Sequence, residues 1–194
     1  MRNAARLLST LGSPLVVGAL FLGVVSARLY DRTHAAVMEA AWLLALLAPI
    51  ALWNLWQVRR GRYTDLDVSR QEDRFSMYAV IVGLLTMATL AMVLTNQPRQ
   101  FSIGVGAACA MTLIAFLANR WIKISLHASC GFFFALMSVK LSPTWVSLAL
   151  VLATLVAWSR VYLGRHQLSE VACGAVLGVA TATVLLALVG LVPL

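Results

Sequence analysis

The sequence predicts an all-α protein, a polytopic transmembrane helical bundle of six to seven spans, and three observations carry that reading. Hydrophobic residues make up 61% of the 194-residue chain and charged residues only 11%, where a soluble domain carries about 25% charged residues. Mean hydropathy is +0.88. Apolar stretches long enough to cross ~30 Å of hydrocarbon recur along the whole length. The chain, 1–194, reads as one integral membrane domain with no separate soluble unit.

Seven apolar segments follow in order, at about 10–29, 35–57, 77–95, 102–119, 127–141, 143–158 and 167–193. Basic Met1 to Arg6 precede the first. Ser26-Ala27-Arg28 is a poor small-residue cleavage site, so this run is read as a retained span rather than a signal peptide. The second and third are separated by Arg59 to Ser76, a polar stretch with five arginines and four acids. Its length marks it as functional or disordered, either a helix lying on the membrane or a lid. The fifth and sixth meet at Ser142-Pro143, where proline disfavours helix at the residue before it. Two helices, or one kinked excursion, satisfy that break.

Parity then places the N-terminus and the loops after the second, fourth and sixth segments on one face. Those loops hold Arg70 to Arg74, Lys123 to His127, and Arg160 to Glu170, so every chemically capable cluster falls on the same side. That face also carries eleven of the fifteen Lys and Arg residues, leaving Arg28, Arg32, Arg99 and Lys140 opposite. The positive-inside rule makes it cytoplasmic.

A net charge of +8 raises nucleic acid as a partner, but no basic surface domain exists to bind it. Basic residues in short loops serve instead as topology signals and as contacts to lipid headgroups or phosphate. Cys109, Cys130 and Cys173 lie in apolar segments and read as small core hydrophobes. His34, His127 and His166 lie far apart, with no metal-ligand spacing, so no metal or other cofactor is expected.

His166 and Glu170, at i and i+4, share one face of a helix beginning near residue 166. A carboxylate on one ring nitrogen fixes the tautomer and leaves the other nitrogen a better nucleophile. Upstream, the planar fork of Arg160 suits a phosphoryl group. In Lys123-Ile124-Ser125-Leu126-His127, a serine hydroxyl, a backbone amide and a lysine can hold phosphate oxygens. His127 opens the next helix, whose N-terminus favours an anion, and can protonate a departing alkoxide. Arg70 and Arg74, one turn apart, can converge on an anion or pair with Glu72 and Asp73 at the surface. Together these groups supply the charge neutralisation and positioning that phosphoryl transfer requires.

These residues resemble the motifs of the type 2 phosphatidic acid phosphatase (PAP2) family of integral membrane enzymes: K-x6-R-P, P-S-G-H and S-R-x5-H-x3-D. Ser159-Arg160, His166 and Glu170 match the third in spacing, with Glu for Asp. Ser125 and His127 match the second, with Ile124 for Pro and Leu126 for Gly. Arg74-Phe75 stands for the Arg-Pro of the first, where Asp67 replaces the lysine and Arg70 is the substitute. The resemblance covers about residues 64–180. It implies that His166 attacks phosphorus, Glu170 orients it, His127 acts as general acid, and Arg70, Arg74, Lys123, Ser125 and Arg160 hold phosphate. The implied substrate is a lipid phosphate or diphosphate, favouring a polyprenyl chain, hydrolysed without metal, with membrane lipids as surroundings. A scaffold with catalysis lost at Glu170 or Leu126 is the alternative. A transporter fits less well, because few polar groups (Glu39 and Asn54) fall inside spans.

Overall fold

The computed structural model describes residues 1–190. Among these residues nine α-helices follow in order: α1 (Arg2–Leu11), α2 (Pro14–Leu29), α3 (Arg32–Trp42), α4 (Ala48–Arg59), α5 (Arg74–Leu94), α6 (Arg99–Ala118), α7 (Leu126–Met137), α8 (Pro143–Tyr162) and α9 (Leu168–Val189). A π-helical turn, Leu43–Leu47, joins α3 to α4. Pro49 has no N–H for the carbonyl of Ala45, and the helix bulges there instead of breaking.

Among the described residues five helical stretches are long and apolar enough to span: Arg32–Arg59, Arg74–Leu94, Arg99–Ala118, Pro143–Tyr162 and Leu168–Val189. A sixth is formed if α1 and α2 count together, although they bend by 47°. The segment Leu126–Lys140 is apolar but shorter. The first apolar segment therefore does not begin at residue 10. Arg2 and Arg6 belong to a separate amphipathic helix, and Ser13 and Pro14 start α2 anew, with Ser13 Oγ accepting from the Val16 amide. Positions 191–193 of the seventh segment lie outside the described residues.

Local chemistry sets the other boundaries. Asp31 caps α3 through the Thr33 and His34 amides. Ser142 caps α8 with Pro143 at its first position, so α7 and α8 are two helices, not one kinked excursion. The bundle is apolar outside as well as inside: Leu44, Leu52, Met87, Leu90, Val176 and Val184 are exposed, as expected where lipid replaces water. Arg60 stacks on Trp56 and Arg120 on Trp121, at 4.1 and 4.3 Å from the ring centres. These pairs mark a membrane interface at the end where the polar loops gather.

One seam matters most for the site. Gly174, Gly178 and Ala182 repeat at four-residue spacing along α9. A Cβ on Gly174 would meet the Ser125 carbonyl at 2.6 Å, and one on Gly178 would collide with the Ser129 carbonyl. Small residues thus let α7 and α9 approach backbone to backbone, which brings the start of α7 beside the start of α9.

Candidate active site

The start of α9 builds the centre. Glu170 is its third residue and closes a capping box with Gln167, accepting the Gln167 amide at 3.1 Å. The same oxygen, Oε2, is 2.8 Å from His166 Nδ1. A glutamate at this position therefore fixes the helix end and the imidazole together, and its extra methylene fits the capping geometry. Gly164, at φ +67°, turns the chain back after α8. The Arg165 and His166 amides then return to the Arg160 carbonyl, at 3.0 and 3.3 Å.

His166 Nε2 meets Arg74 Nη2 at 3.2 Å. The network assigns the proton to Nδ1, facing Glu170, and leaves the Nε2 lone pair facing the guanidinium. Burial, then the charges of Arg74, Arg160 and Lys123, push the His166 imidazole down to about 2, so it is neutral at physiological pH. Arg74 is fixed by two further donations, Nε to the Val68 carbonyl at 2.9 Å and Nη1 to the Ile124 carbonyl at 2.8 Å. The hairpin of α5 and α6 is what carries Arg74 back beside Lys123 and His127.

Arg160 is completely buried and donates through Nη1 to Ser9 Oγ and to Asp67 Oδ2, both at 2.6 Å. Its Nε and Nη2, together with Ser125 Oγ and His127 Nε2, are buried without a hydrogen-bond partner among the described residues. Unpaired buried donors are costly, and a phosphoryl group has the oxygens to satisfy them. The Ser125 amide is already committed to the Glu170 carbonyl at 3.2 Å, leaving the hydroxyl as that residue's contribution.

Lys123 and Arg70 are disposed differently. Lys123 Nζ donates to the Ser69 and Arg165 carbonyls at 3.2 and 3.0 Å and lies 3.6 Å from Glu170 Oε2. It struts the loops together. Arg70 projects outward and pairs with Glu72. The arginine that pairs with the loop there is Arg165, partly exposed in the turn after α8, which holds Ser69 Oγ at 2.6 Å and Asp65 at 2.8 Å. Its place in the sequence, beside His166, is the one signal that could have singled it out.

The stretch between α4 and α5 is neither a surface helix nor a loose lid. Asp65 Oδ1 accepts from the Asp67 amide and the Ser69 hydroxyl, at 2.9 and 3.1 Å, the mark of an Asx turn. Tyr63 OH bonds Ser76 at 2.7 Å and accepts from Trp53 Nε1. Val68 is fully buried at φ +49°, a conformation rarely tolerated by a β-branched residue. Asp67, next to it, lies between Arg160 and His127, with Oδ1 4.0 Å from His127 Nε2. Burial alone would raise its carboxyl pKa, but Arg160 first, then His127 and Arg165, hold it below the ordinary carboxylate range. From this centre a cavity of about 300 Å³ runs into the bundle, past Ile50, Met77, Ile81 and Phe134 to Phe101.

Comparison with known proteins agrees with the geometry in one respect and is silent in others. No curated protein and no solved structure matches the chain. The family model of the PAP2 superfamily matches residues 80–192, a stretch holding Ser125, His127, Arg160, His166 and Glu170 but not Arg74 or Asp67. That match covers more than half of a helical membrane protein whose buried histidines and arginines converge on one end of the bundle. The chain belongs to the PAP2 superfamily.

Proposed function

We propose that the protein is a lipid phosphatase that releases phosphate from a polyprenyl phosphate or diphosphate through a phosphohistidine on His166. The observation that carries this reading is His166 itself, held by Glu170 on one nitrogen and presenting the other, unprotonated, beside Arg74. The Nε2 lone pair attacks phosphorus, and Arg74 moves its hydrogen bond from the imidazole to a phosphoryl oxygen. As the P–O bond to the leaving oxygen breaks, His127 gives its Nε2 proton to that oxygen, freeing the alcohol from a monophosphate or the prenyl monophosphate from a diphosphate. Water then attacks phosphorus and His127 takes its proton. The P–N bond breaks, its electron pair returns to His166, and inorganic phosphate leaves.

Arg74, Arg160 and Ser125 hold the phosphoryl oxygens, and guanidinium charge performs the neutralisation that a metal supplies elsewhere. Lys123 acts on this group through Glu170 and the loop carbonyls, and Arg70 stands outside it. The cavity supports a single hydrocarbon chain as the lipid part, because it continues inward from Asp67, Arg74 and His127 and is lined mainly by apolar side chains. The excess of Lys and Arg at this end supports a cytoplasmic site, testable by labelling a cysteine introduced at Arg62 in intact cells.

The decisive experiment is phosphate release by purified protein with EDTA present, wild type beside His166→Ala, over prenyl and glycerol lipid phosphates. Release that needs His166 and ignores chelator upholds the reading, and acid-labile ³²P on the protein identifies the intermediate. No release above the variant on any lipid replaces it with an inactive lipid-binding role.

A further inference from the structure

We infer that Asp67 is a positioning residue for the general acid, a loop carboxylate that holds Arg160 on one oxygen and faces His127 with the other. The inference rests on the phosphatase reading above. It gives the site a second histidine–carboxylate pair, at the place where the family motif has a lysine.

The loop is built to hold this carboxylate. Asp65 fixes the Asp67 amide, and the left-handed backbone of Val68 is locked by burial among Tyr63, Met77, Tyr78 and Ile124. A backbone conformation this unfavourable persists only where its surroundings over-determine it. Reversing the chain at Val68 aims the Val68 carbonyl at Arg74 and the Asp67 carboxylate at Arg160.

Asp67 also leaves room for substrate. It occupies only the Nη1 edge of Arg160, while the Nε and Nη2 edge has no partner among the described residues. That free edge is the fork that binds two phosphoryl oxygens, so phosphate does not need to evict Asp67. The carboxylate therefore stays beside His127 during turnover.

The charges facing His127 show what it does there. Arg160 from α8 and Arg74 from α5 present positive charge, α1 presents the Ser9 backbone, and Asp67 presents the negative charge. When His127 carries the proton destined for the leaving oxygen, Asp67 offsets part of the guanidinium charge, acting on the imidazole less strongly than Arg160 and more strongly than Arg74. Without it the imidazolium would face cations alone. The lysine of the family motif would add a third cation; this chain gives up one phosphate-binding charge and gains support for its acid.

Leaving-group dependence tests the idea. The alcohol of farnesyl phosphate needs a proton to depart, whereas p-nitrophenolate leaves without one. Asp67→Asn is expected to lose kcat/KM on the order of 10²-fold on farnesyl phosphate but less than about tenfold on p-nitrophenyl phosphate. The basic limb of its pH profile on farnesyl phosphate should move down by about one unit. Equal losses on both substrates, or an unmoved basic limb, overturn the inference and reduce Asp67 to an anchor for Arg160. A gain on both overturns it too, by making Asp67 a mere competitor of phosphate. Asp67→Glu, which keeps the charge, guards against a misfolded Asn variant: its basic limb should lie within about half a unit of wild type, and a folded Glu variant shifted further overturns the inference as well. Failure of wild type to hydrolyse either substrate would instead remove the phosphatase reading.

Discussion

The two histidines are held in opposite ways. His166 and its carboxylate stand on one helix end, 2.8 Å apart, with the same glutamate oxygen capping the helix. His127 is the second residue of α7, while the carboxylate facing it comes from a distant loop and stops at 4.0 Å. The first arrangement suits a nucleophile, which needs one fixed tautomer. The second suits a group that gains and loses a proton in each cycle, because a charge at that range stabilises the imidazolium without taking its hydrogen. In the proposed mechanism the site separates orientation from charge support, with Glu170 supplying the first and Asp67 the second.

Substitutions can break this contrast, and the largest effect is expected at His166. His166→Ala should reduce phosphate release to the buffer background, read by a malachite-green assay. Glu170→Gln should cost on the order of 10² or more on alkyl and aryl phosphates alike, because it disturbs the attacking nitrogen whatever the leaving group. His127→Asn should instead show the alkyl-selective loss predicted for Asp67→Asn, on the order of 10²–10⁴-fold. A uniform loss would collapse the distinction between the two pairs.

A smaller effect is expected on stability. Gly178→Ala drives a methyl group into the Ser129 carbonyl and should lower unfolding free energy by about 1–3 kcal/mol, visible as a lower melting midpoint in detergent. Acidity provides a further measure. The unfolded His166 takes up a proton below about pH 6.5, while the folded one, depressed to about 2, does not. Its contribution is thus intact above pH 6.5 and is lost as pH falls. Melting midpoints should drop between about pH 6.5 and 5.5, before most carboxylates titrate, and His166→Asn should flatten that slope. The smallest change is expected at Arg70→Ala, below about twofold in kcat/KM, as for an exposed surface pair. Arg165→Ala, which releases Ser69 and Asp65, should exceed it.

What the sequence reveals follows the same division. His166 and Glu170 announce themselves by helical spacing, and Arg160 by its closeness to them. The helix pattern was legible because hydrocarbon demands long apolar runs, but the separate α1 was not, since its amphipathic face merges with the next run. Arg70 and Arg74 are equivalent by spacing, and only the left-handed turn at Val68 sends one inward and the other out. Asp67 reads merely as a missing lysine until the fold brings Arg160 beside it. Ser9, bonded to Arg160 across nearly the whole chain, carries no local signal at all.

The apolar cavity has a practical consequence for anyone extracting the protein. If the proposed reading holds, a recess of about 300 Å³ lined mainly by apolar side chains also accepts the tail of a single-chain detergent, whose headgroup would then cover the proposed phosphate site. Turnover in dodecyl maltoside would be slowed by the solubilising agent, with apparent KM climbing as detergent is added, and would recover in nanodiscs made of two-tailed lipids.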